Sequence, residues 1–311
     1  MRLDSPPWKR CVVQAAICAW VAALCYSCGA PRDTSAETRA KESEPPPRTE
    51  LVAPVPATTV ESARSFLTVP EFQEAIRAAN PGYTGRAVLV TDAAKRVVQA
   101  NLSGCELRRL EPFADIALEV LDLSDNPLED LTPLSGMPLQ VLLLERTAVV
   151  DLTPLAGMKL ERLSLADTPV EDLRPLMQAQ IIHLDLRQTG VTDLTPLGVV
   201  PVEELRLDGT RVQSLAPLAS CPLRILTLSR TPVRDLSPLQ GRPLRVLDIS
   251  GTGVTVVTPI LGSQLQRLLF TRKRIRTGLD GLRAMRSLRE IGDPPRGCKA
   301  APDYWKDIDA E

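Results

Sequence analysis

Residues 139–155 read LQVLLLERTAVVDLTPL, in which Leu recurs as L-x-x-L-x-L and Thr, Asp and Pro follow at fixed places. The same pattern recurs along the chain with a constant step of 21 residues. Its nine first positions are Val97, Leu118, Leu139, Leu160, Ile181, Val202, Leu223, Leu244 and Leu265. A strict period of this length predicts a solenoid, because each repeat is a structural unit that stacks on the next.

Each repeat has one leg that reads as a strand and one that returns. Positions 4 and 6 alternate as in a short strand, so both side chains point into one core. The return leg places apolar residues at positions 11, 14 and 17, as in Val149, Leu152 and Leu155. Pro occupies position 16 in eight repeats, from Pro112 to Pro259, and disfavours a continuous helix there. We therefore expect an α/β fold with a curved parallel sheet on its concave face and irregular or short-turn return legs.

Position 9 is a polar column inside this apolar pattern. Asn126 occupies it once, and Thr occupies it in six repeats: Thr147, Thr168, Thr189, Thr210, Thr231 and Thr252. A hydroxyl or amide at this place can bond to backbone groups exposed where the strand ends. We interpret the column, like the Asp that recurs at position 13, as structural.

These residues resemble those of bacterial leucine-rich repeat proteins. The return leg Asp-Leu-Thr-Pro-Leu at 151–155 is similar to that of the internalins. Thr at position 9 and Gly-Met-Pro-Leu at 136–139 resemble more closely a group of bacterial repeat proteins, some attached to protein kinases. The resemblance covers roughly residues 65–308 and implies a leucine-rich repeat solenoid. It leaves the ligand open, because specificity resides in surface residues.

The segments flanking the repeats read as caps. In 61–96, Pro70 can open a helix whose apolar face is Phe72, Ala75 and Ile76, and Asn-Pro-Gly at 80–82 ends it. The repeats proper are assigned to 97–287, and 288–311 are assigned to a C-terminal cap and tail.

The ninth repeat departs from the pattern after Phe270, with Lys273 at position 9. We expect its basic residues, Arg272, Lys273, Arg274 and Arg276, to present a polar face to water at the end of the solenoid. The alternative is that this cluster binds an anionic polymer or lipid.

The N-terminus reads as an export leader over residues 1–30. Arg2, Lys9 and Arg10 precede a run without charge that is short for a membrane-spanning helix. The end of the run, Cys-Tyr-Ser-Cys-Gly-Ala at 25–30, resembles the lipobox of bacterial lipoproteins and implies lipidation of Cys28, although Cys25 stands where that family prefers Leu.

Export leaves three locations open. Lipidation would give a membrane-associated lipoprotein in the periplasm or at the cell surface, cleavage near Ala30 would give a secreted protein, and an uncleaved leader would give a membrane anchor. Residues 31–60 are rich in Pro and polar residues and are expected to form a disordered tether.

Composition indicates a protein that is not an enzyme and that binds no cofactor or metal. The chain has one histidine, His183, and it lacks a phosphate-binding glycine loop, metal-type Cys/His spacing and a nucleophile elbow. Its 37 basic and 38 acidic residues nearly cancel, so no nucleic acid partner is expected. The odd number of cysteines after the leader, Cys105, Cys221 and Cys298, does not support a disulfide framework.

The candidate binding site is the outward face of the sheet. Seven charged or polar residues at positions 3, 5 and 7 are expected to form an exposed cross-strand network: Arg162, His183, Asp185, Arg187, Glu204, Arg206 and Asp208. Apolar residues flank this network, with Val120, Val141 and Leu143 on one side and Ile225, Val246 and Leu269 on the other.

The sequence therefore favours a non-enzymatic interaction scaffold that binds a protein or a surface polymer through this face. A structural envelope spacer without a selective ligand is the alternative. Catalysis at His183 is a third hypothesis.

Overall fold

A computed structural model describes residues 67–114, 116–293 and 297–310. The predicted leader, the tether and Cys28 lie outside the described residues. Within them, no helix combines the length and apolarity needed to cross a membrane.

The described part is built on one sheet of twelve strands that follow one another in sequence order. The strands are β1 Val88–Thr91, β2 Val97–Asn101, β3 Val120–Asp122, β4 Val141–Leu143, β5 Arg162–Ser164, β6 His183–Asp185, β7 Glu204–Arg206, β8 Ile225–Thr227, β9 Val246–Asp248, β10 Arg267–Leu269, β11 Glu290–Gly292 and β12 Cys298–Ala300. Strands β2 to β11 are parallel, and β1 and β12 are antiparallel edge strands.

The register of the parallel strands confirms the predicted repeat. Val141 pairs with Arg162, Arg162 with His183, and His183 with Glu204, each one period further along the chain. Positions 4 and 6 of each strand leg and positions 11, 14 and 17 of the first eight return legs are buried, as Leu142 and Val149 illustrate. Full burial of such a side chain contributes about 1.5 to 3 kcal/mol before the cost of ordering the chain.

The return legs are short 3-10 turns, as the proline column predicts. They span Glu111–Phe113, Thr132–Leu134, Thr153–Leu155, Arg174–Gln178, Thr195–Val199, Ala216–Ser220, Ser237–Leu239, Thr258–Ile260 and Arg272–Arg274. The first eight carry Pro near their start, where a missing N–H costs no hydrogen bond. The recurring Asp orders the turn, since the Oδ1 atom of Asp130 accepts the backbone N–H of Thr132 at 2.8 Å.

The polar column at position 9 has the structural role expected of it. The hydroxyl of Thr147 donates to the carbonyl of Leu144 at 2.8 Å, and that of Thr189 donates to Leu186 at 2.7 Å. The other four threonines of the column form the same bond. Asn126 goes further, because its amide donates to the carbonyl of Leu102 in the preceding repeat at 2.9 Å. The column thus satisfies carbonyl groups that the strand ends leave inside the solenoid.

The N-terminal cap contains the predicted helix, α1, Val69–Ala79. Phe72 and Ile76 are its buried face, and the ring of Phe72 meets that of Phe113 edge to face at 5.4 Å. Glu71 accepts the backbone N–H of Thr68 at 2.9 Å in a capping box. The helix therefore covers the start of the core, as predicted.

The C-terminal end has one parallel strand more than predicted, and residues that follow this strand cover it instead of the basic segment. The parallel ladder continues to β11, which pairs with β10 although 23 residues separate the paired Arg267 and Glu290. After β11, the antiparallel strand β12 and a helix, α3, Ala301–Asp309, follow. Tyr304 of this helix is buried and lies 6.2 Å, ring to ring, from Phe270 of the ninth repeat.

The prediction that the basic segment lies at the end of the solenoid is therefore wrong, although Lys273, Arg274 and Arg276 do present a polar face to water as expected. Residues 272–276 form the turn of the ninth repeat, and a short helix, α2, Leu279–Ala284, follows them before β11. Ile275 is buried at position 11, and the N–H of Phe270 donates to the carbonyl of Gly292 at 2.9 Å, so the ladder passes this turn without a break.

Candidate functional site

The candidate site lies at the centre of the open face, by which we mean the face of the sheet formed by positions 3, 5 and 7. Strands β5, β6 and β7 place Arg162, His183 and Glu204 in one row and Ser164, Asp185 and Arg206 in the next. Arg187 and Asp208 follow β6 and β7 at position 7. The structure thus brings together all seven residues chosen from the sequence, and we call them the charged cluster.

The exposure predicted for the charged cluster is wrong for four of its members. Arg162 is 3% exposed, Asp185 0%, Glu204 6% and Arg206 5%. Only His183, Arg187 and Asp208 are partly exposed. The cause is the strict register, since each long side chain is covered by its equivalents on the two neighbouring strands about 4.8 Å away.

Glu204 joins two of the strands. Its Oε2 atom lies 3.0 Å from Nδ1 of His183 on β6, and its Oε1 atom lies 2.9 Å from Nη2 of Arg206 on its own strand. Burial opposes the charge of Glu204, but the hydrogen bond with His183 and the charge of Arg206 hold its pKa below the ordinary value. Burial also lowers the pKa of Arg162, against the opposing charge of Glu204.

Asp185 fixes the position of Arg187. The Nε and Nη2 atoms of Arg187 donate to the carboxylate of Asp185 at 2.8 and 2.7 Å, and its backbone N–H donates at 3.0 Å. Burial opposes the charge of Arg187, but the hydrogen bonds and the negative charge of Asp185 raise its pKa. Because 37% of the Arg187 side chain stays exposed, the pair holds a fixed cation at the surface.

Asp208 ends the cluster on the side of β8. Its Oδ1 atom accepts the backbone N–H of Ser229 at 2.8 Å, and its Oδ2 atom accepts the hydroxyl of Thr227. Asp248 lies further along the sheet, on β9. Burial together with the negative charge of Asp208 raises the pKa of Asp248.

Sequence reasoning missed Asp248, and it missed Glu145 and Ser164 at the other end of the cluster. The hydroxyl of Ser164 on β5 donates to Glu145 at 2.9 Å, which extends the polar network to the turn that follows β4. Positions 5 and 7 include all three residues, so extending these two columns along the repeats would have found them.

The apolar residues expected beside the charged cluster flank it in the structure. Val120 and Leu143 on one side are half-buried, as are Ile225, Val246 and Leu269 on the other. Val141 is only 1% exposed and is therefore part of the packed face. The open face thus carries a polar centre between two partly accessible apolar margins.

Three further features of the described residues lie outside the charged cluster. The part of the chain that the structure describes contains no group of three or more His, Cys, Asp or Glu side chains placed to hold a metal ion. Cys105, Cys221 and Cys298 are free thiols, and the first two are buried. A cleft of about 410 Å³ lies where the chain enters β4 and β5, lined by 136–140 and 156–159, and it shares no residue with the charged cluster.

Comparisons with known proteins agree with the architecture. Residues 117–145 match the family profile of the Leucine Rich Repeat. No curated protein matches the chain. The structure is similar to that of an internalin (InlF) from Listeria monocytogenes, with a TM-score of 0.60 and 21% identity over 72% of this chain and 68% of that chain. It is also similar to internalin C2 from the same organism, with a TM-score of 0.51 and 21% identity over 65% of this chain and 93% of that chain.

Proposed function

We propose, from the premise that this chain is a leucine-rich repeat solenoid with an internalin-like fold, that it is a non-enzymatic scaffold that binds a protein through the open face. The observation that carries the proposal is the charged cluster, whose partly exposed groups lie between two apolar margins. Buried carboxylates hold His183 and Arg187, and hydrogen bonds from Thr227 and Ser229 hold Asp208.

The fold itself does not require charge at these positions. Position 3 is Val or Ile in four other repeats, at Val120, Val141, Ile225 and Val246. Buried ion pairs are often no more stabilising than apolar residues of similar size, because both charges lose their hydration. Among the described residues, buried charged side chains occur only in three neighbouring repeats, four to six. This concentration favours a role in recognition over a role in folding.

The arrangement suits a macromolecular partner. Apolar margins such as Leu143 and Ile225 would contribute burial, and the fixed polar groups between them would set specificity. Asp185 already orders Arg187. This side chain therefore loses less conformational freedom when a partner binds than a mobile arginine would.

The test compares partner capture by matched charge reversals. Arg187→Glu with Asp208→Lys changes two partly exposed groups of the charged cluster. The control, Arg174→Glu, changes an exposed arginine on a return leg. Each chain is crosslinked in cells of the native host, and the captured proteins are identified by mass spectrometry.

We expect a defined protein that the native chain and Arg174→Glu capture equally and that the double variant loses. Equal capture by the double variant would contradict the proposal and favour the spacer role.

The sequence adds a location to this function. In the proposal, residues 1–30 direct export, Cys28 is lipidated, and 31–60 tether the solenoid at a membrane in the periplasm or at the cell surface. Intact mass and membrane fractionation of the native chain, Cys28→Ala and the control Cys25→Ala test this. A diacylglyceryl-sized mass increase that only Cys28→Ala abolishes supports lipidation. An unmodified soluble product would indicate secretion, and an intact leader would indicate an anchor.

A further inference from the structure

A second charged surface lies on the edge of the solenoid formed by the turns that follow the strands, in repeats seven to nine. Repeat seven contributes Arg230 and Arg234. Repeat nine contributes Arg272, Lys273, Arg274 and Arg276. All six except Arg272 are exposed. We call these six residues the cationic strip. None of them belongs to the open face, so the strip is independent of the function proposed above.

Glycines separate the two halves of the strip. Repeat eight has Gly251 and Gly253 at positions 8 and 10, where repeat nine has Arg272 and Arg274. A Cβ atom on Gly253 would lie 2.8 Å from Cγ of Arg234, and one on Gly251 would lie 3.4 Å from Cγ of Arg230. The arginine stems of repeat seven therefore lie against repeat eight, and no side chain at Gly251 or Gly253 stands between the two halves of the strip.

Within the described residues, four of the exposed side chains of the strip form no ion pair with a carboxylate: Arg230, Arg234, Lys273 and Arg276. By contrast, Arg146, at position 8 of the third repeat, pairs with Asp125 at 2.5 Å. Among the other turns that the structure describes, the exposed Arg108 and Arg211 form no such pair, but Arg211 stands without further cations in its own turn and Arg108 has a single cationic neighbour, Arg109. The positive charge of the strip is thus left for an external anion.

The surroundings reinforce this charge. Residues 209–293 contain 14 Lys and Arg against 5 Asp and Glu, although the whole chain is nearly neutral with 37 against 38. A local excess of one sign raises the concentration of oppositely charged ligands near the surface. The C-terminal repeats therefore attract a polyanion even though the whole chain does not.

The strip also departs from the pattern that stabilises the other repeats. Lys273 stands at position 9, where six repeats have a buried Thr that donates a hydrogen bond to the carbonyl at the strand end. Repeat nine lacks that bond. The Nη1 atom of Arg274 donates to the carbonyl of Thr252 in repeat eight at 2.6 Å, which fixes the guanidinium group beside the glycines. A departure from the local rule is characteristic of a site under functional constraint.

We propose that the cationic strip is a binding site for a linear polymer that carries phosphate groups. Guanidinium groups match phosphate oxygens with two parallel hydrogen bonds, and five of the six residues are arginine. The cations are spread along an open surface about 10 Å, or two strand spacings, across, and do not converge in a pocket. An extended polymer can contact them together, whereas a single phosphate ion cannot.

The first test measures binding of fluorescently labelled inorganic polyphosphate to the full chain by anisotropy at low salt. The variant Arg230→Gln/Arg234→Gln/Arg276→Gln removes three exposed cations that form no ion pair. The control Arg86→Gln/Arg108→Gln/Arg109→Gln removes three exposed arginines at the other end of the molecule, and Arg108 occupies the same repeat position as Arg234. We expect a loss on the order of tenfold in the first variant and less than about twofold in the control. Equal losses in both, or no loss, would overturn the proposal.

The second test substitutes none of the six cations of the strip. Gly253→Glu puts a carboxylate between the two halves of the strip, and Gly190→Glu makes the same change at position 10 of the fifth repeat. Other repeats have Glu, Pro, Ala or Arg at this position, so the backbone accepts a side chain there. Both variants displace one side chain of the preceding repeat, since the new Cβ atom lies 2.6 Å from Cγ of Glu171 at Gly190 and 2.8 Å from Cγ of Arg234 at Gly253. We expect only Gly253→Glu to weaken polyphosphate binding, and equal binding by the two variants would overturn the proposal.

Competition decides the chemical class of the ligand. Unlabelled polyphosphate should displace the probe, whereas polyglutamate of similar charge and inorganic phosphate should displace it much less. Equal displacement by polyglutamate would refute phosphate recognition, and tight binding of inorganic phosphate would refute the polymer. If phosphatidylglycerol vesicles bind the chain more tightly than polyphosphate does, the strip is a membrane contact and the proposal fails.

Discussion

At the scale of single residues, the position 9 threonines combine a buried location with a hydrogen bond that does not depend on the neighbouring repeat. The Thr189 hydroxyl donates to the carbonyl of Leu186 at 2.7 Å, and Thr189 is only 5% exposed. Valine has nearly the same shape but cannot donate this bond, which leaves a buried carbonyl with less hydrogen bonding.

We therefore predict that Thr189→Val lowers the free energy of unfolding by about 1 to 2 kcal/mol, the usual effect of losing such a bond. Urea denaturation followed by circular dichroism measures it. Thr192→Val, at an exposed position of the same repeat, is the control and should change stability by less than about 0.5 kcal/mol. Similar values for the two variants would show that the column is not structural.

Glu204 makes stability depend on pH in a direction that follows from its pKa. The pKa of this carboxyl is lower in the folded protein than its ordinary value of 4.5. The carboxylate therefore stabilises the folded state above about pH 4.5, and this contribution is lost as the pH falls through the lowered pKa.

We predict that Glu204→Gln destabilises the protein by about 3 kcal/mol at pH 7, because His183 and Arg206 lose a buried anionic partner. Below about pH 4.5, the carboxyl group of Glu204 takes up a proton in the native chain. The variant has no such carboxyl group, so it should lose less stability than the native chain when the pH falls from about 5 to about 3. Urea midpoints measured across this range test both statements. Asp280→Asn, a change at an exposed residue of α2, serves as the control, and a native-like pH profile in Glu204→Gln would contradict the account.

At the scale of elements, Asn80 joins the cap helix α1 to the first repeat. Its Oδ1 atom accepts the backbone N–H groups of Arg108 and Arg109 at 2.8 and 2.9 Å, and its amide donates to the carbonyl of Arg109 at 3.0 Å. The side chain is only 3% exposed, so water cannot easily replace it in these bonds.

We predict that Asn80→Ala lowers the free energy of unfolding by about 2 to 3 kcal/mol, because buried backbone N–H groups lose their acceptor. Hydrogen exchange should show the largest loss of protection in residues 69–79. Asn101→Ala, at an exposed site on β2, should leave that protection unchanged. Faster exchange spread evenly over the repeats would mean that Asn80 does not act as a local link.

The strands show which parts of the fold the sequence predicts. The step of 21 residues predicts every strand from β2 to β10, because one register repeats along the sheet. It does not predict β11, since two extra residues and the helix α2, preceded by Gly278 at a φ of +99°, interrupt the period before the strand.

The membership of the charged cluster could be predicted, because positions 3, 5 and 7 share one face in every repeat. The burial of Arg162, Asp185, Glu204 and Arg206 could not, because it depends on how long side chains on neighbouring strands cover one another. Spacing along the chain gives the row in which a side chain lies but not the depth at which it lies.

At the scale of the whole molecule, the described chain is a solenoid whose two ends are closed by different elements. Strand β1 and helix α1 cover the first repeat, and strand β12 and helix α3 cover the last. Between them, the open face carries the charged cluster near the middle of the sheet, and the edge of the last three repeats carries the cationic strip. The two surfaces share no residue, so each can be changed without the other.

Site-specific photocrosslinking in the native host tests whether a protein binds the open face. A photoreactive amino acid replaces Leu143 or Ile225 at the apolar margins of the open face, or Arg174 or Thr192 on the return legs. The account predicts that the two open-face positions crosslink to the same protein and that the two return-leg positions do not. Crosslinking of that protein from the return legs, or no product from the open face while the protein is folded and exported, would contradict it.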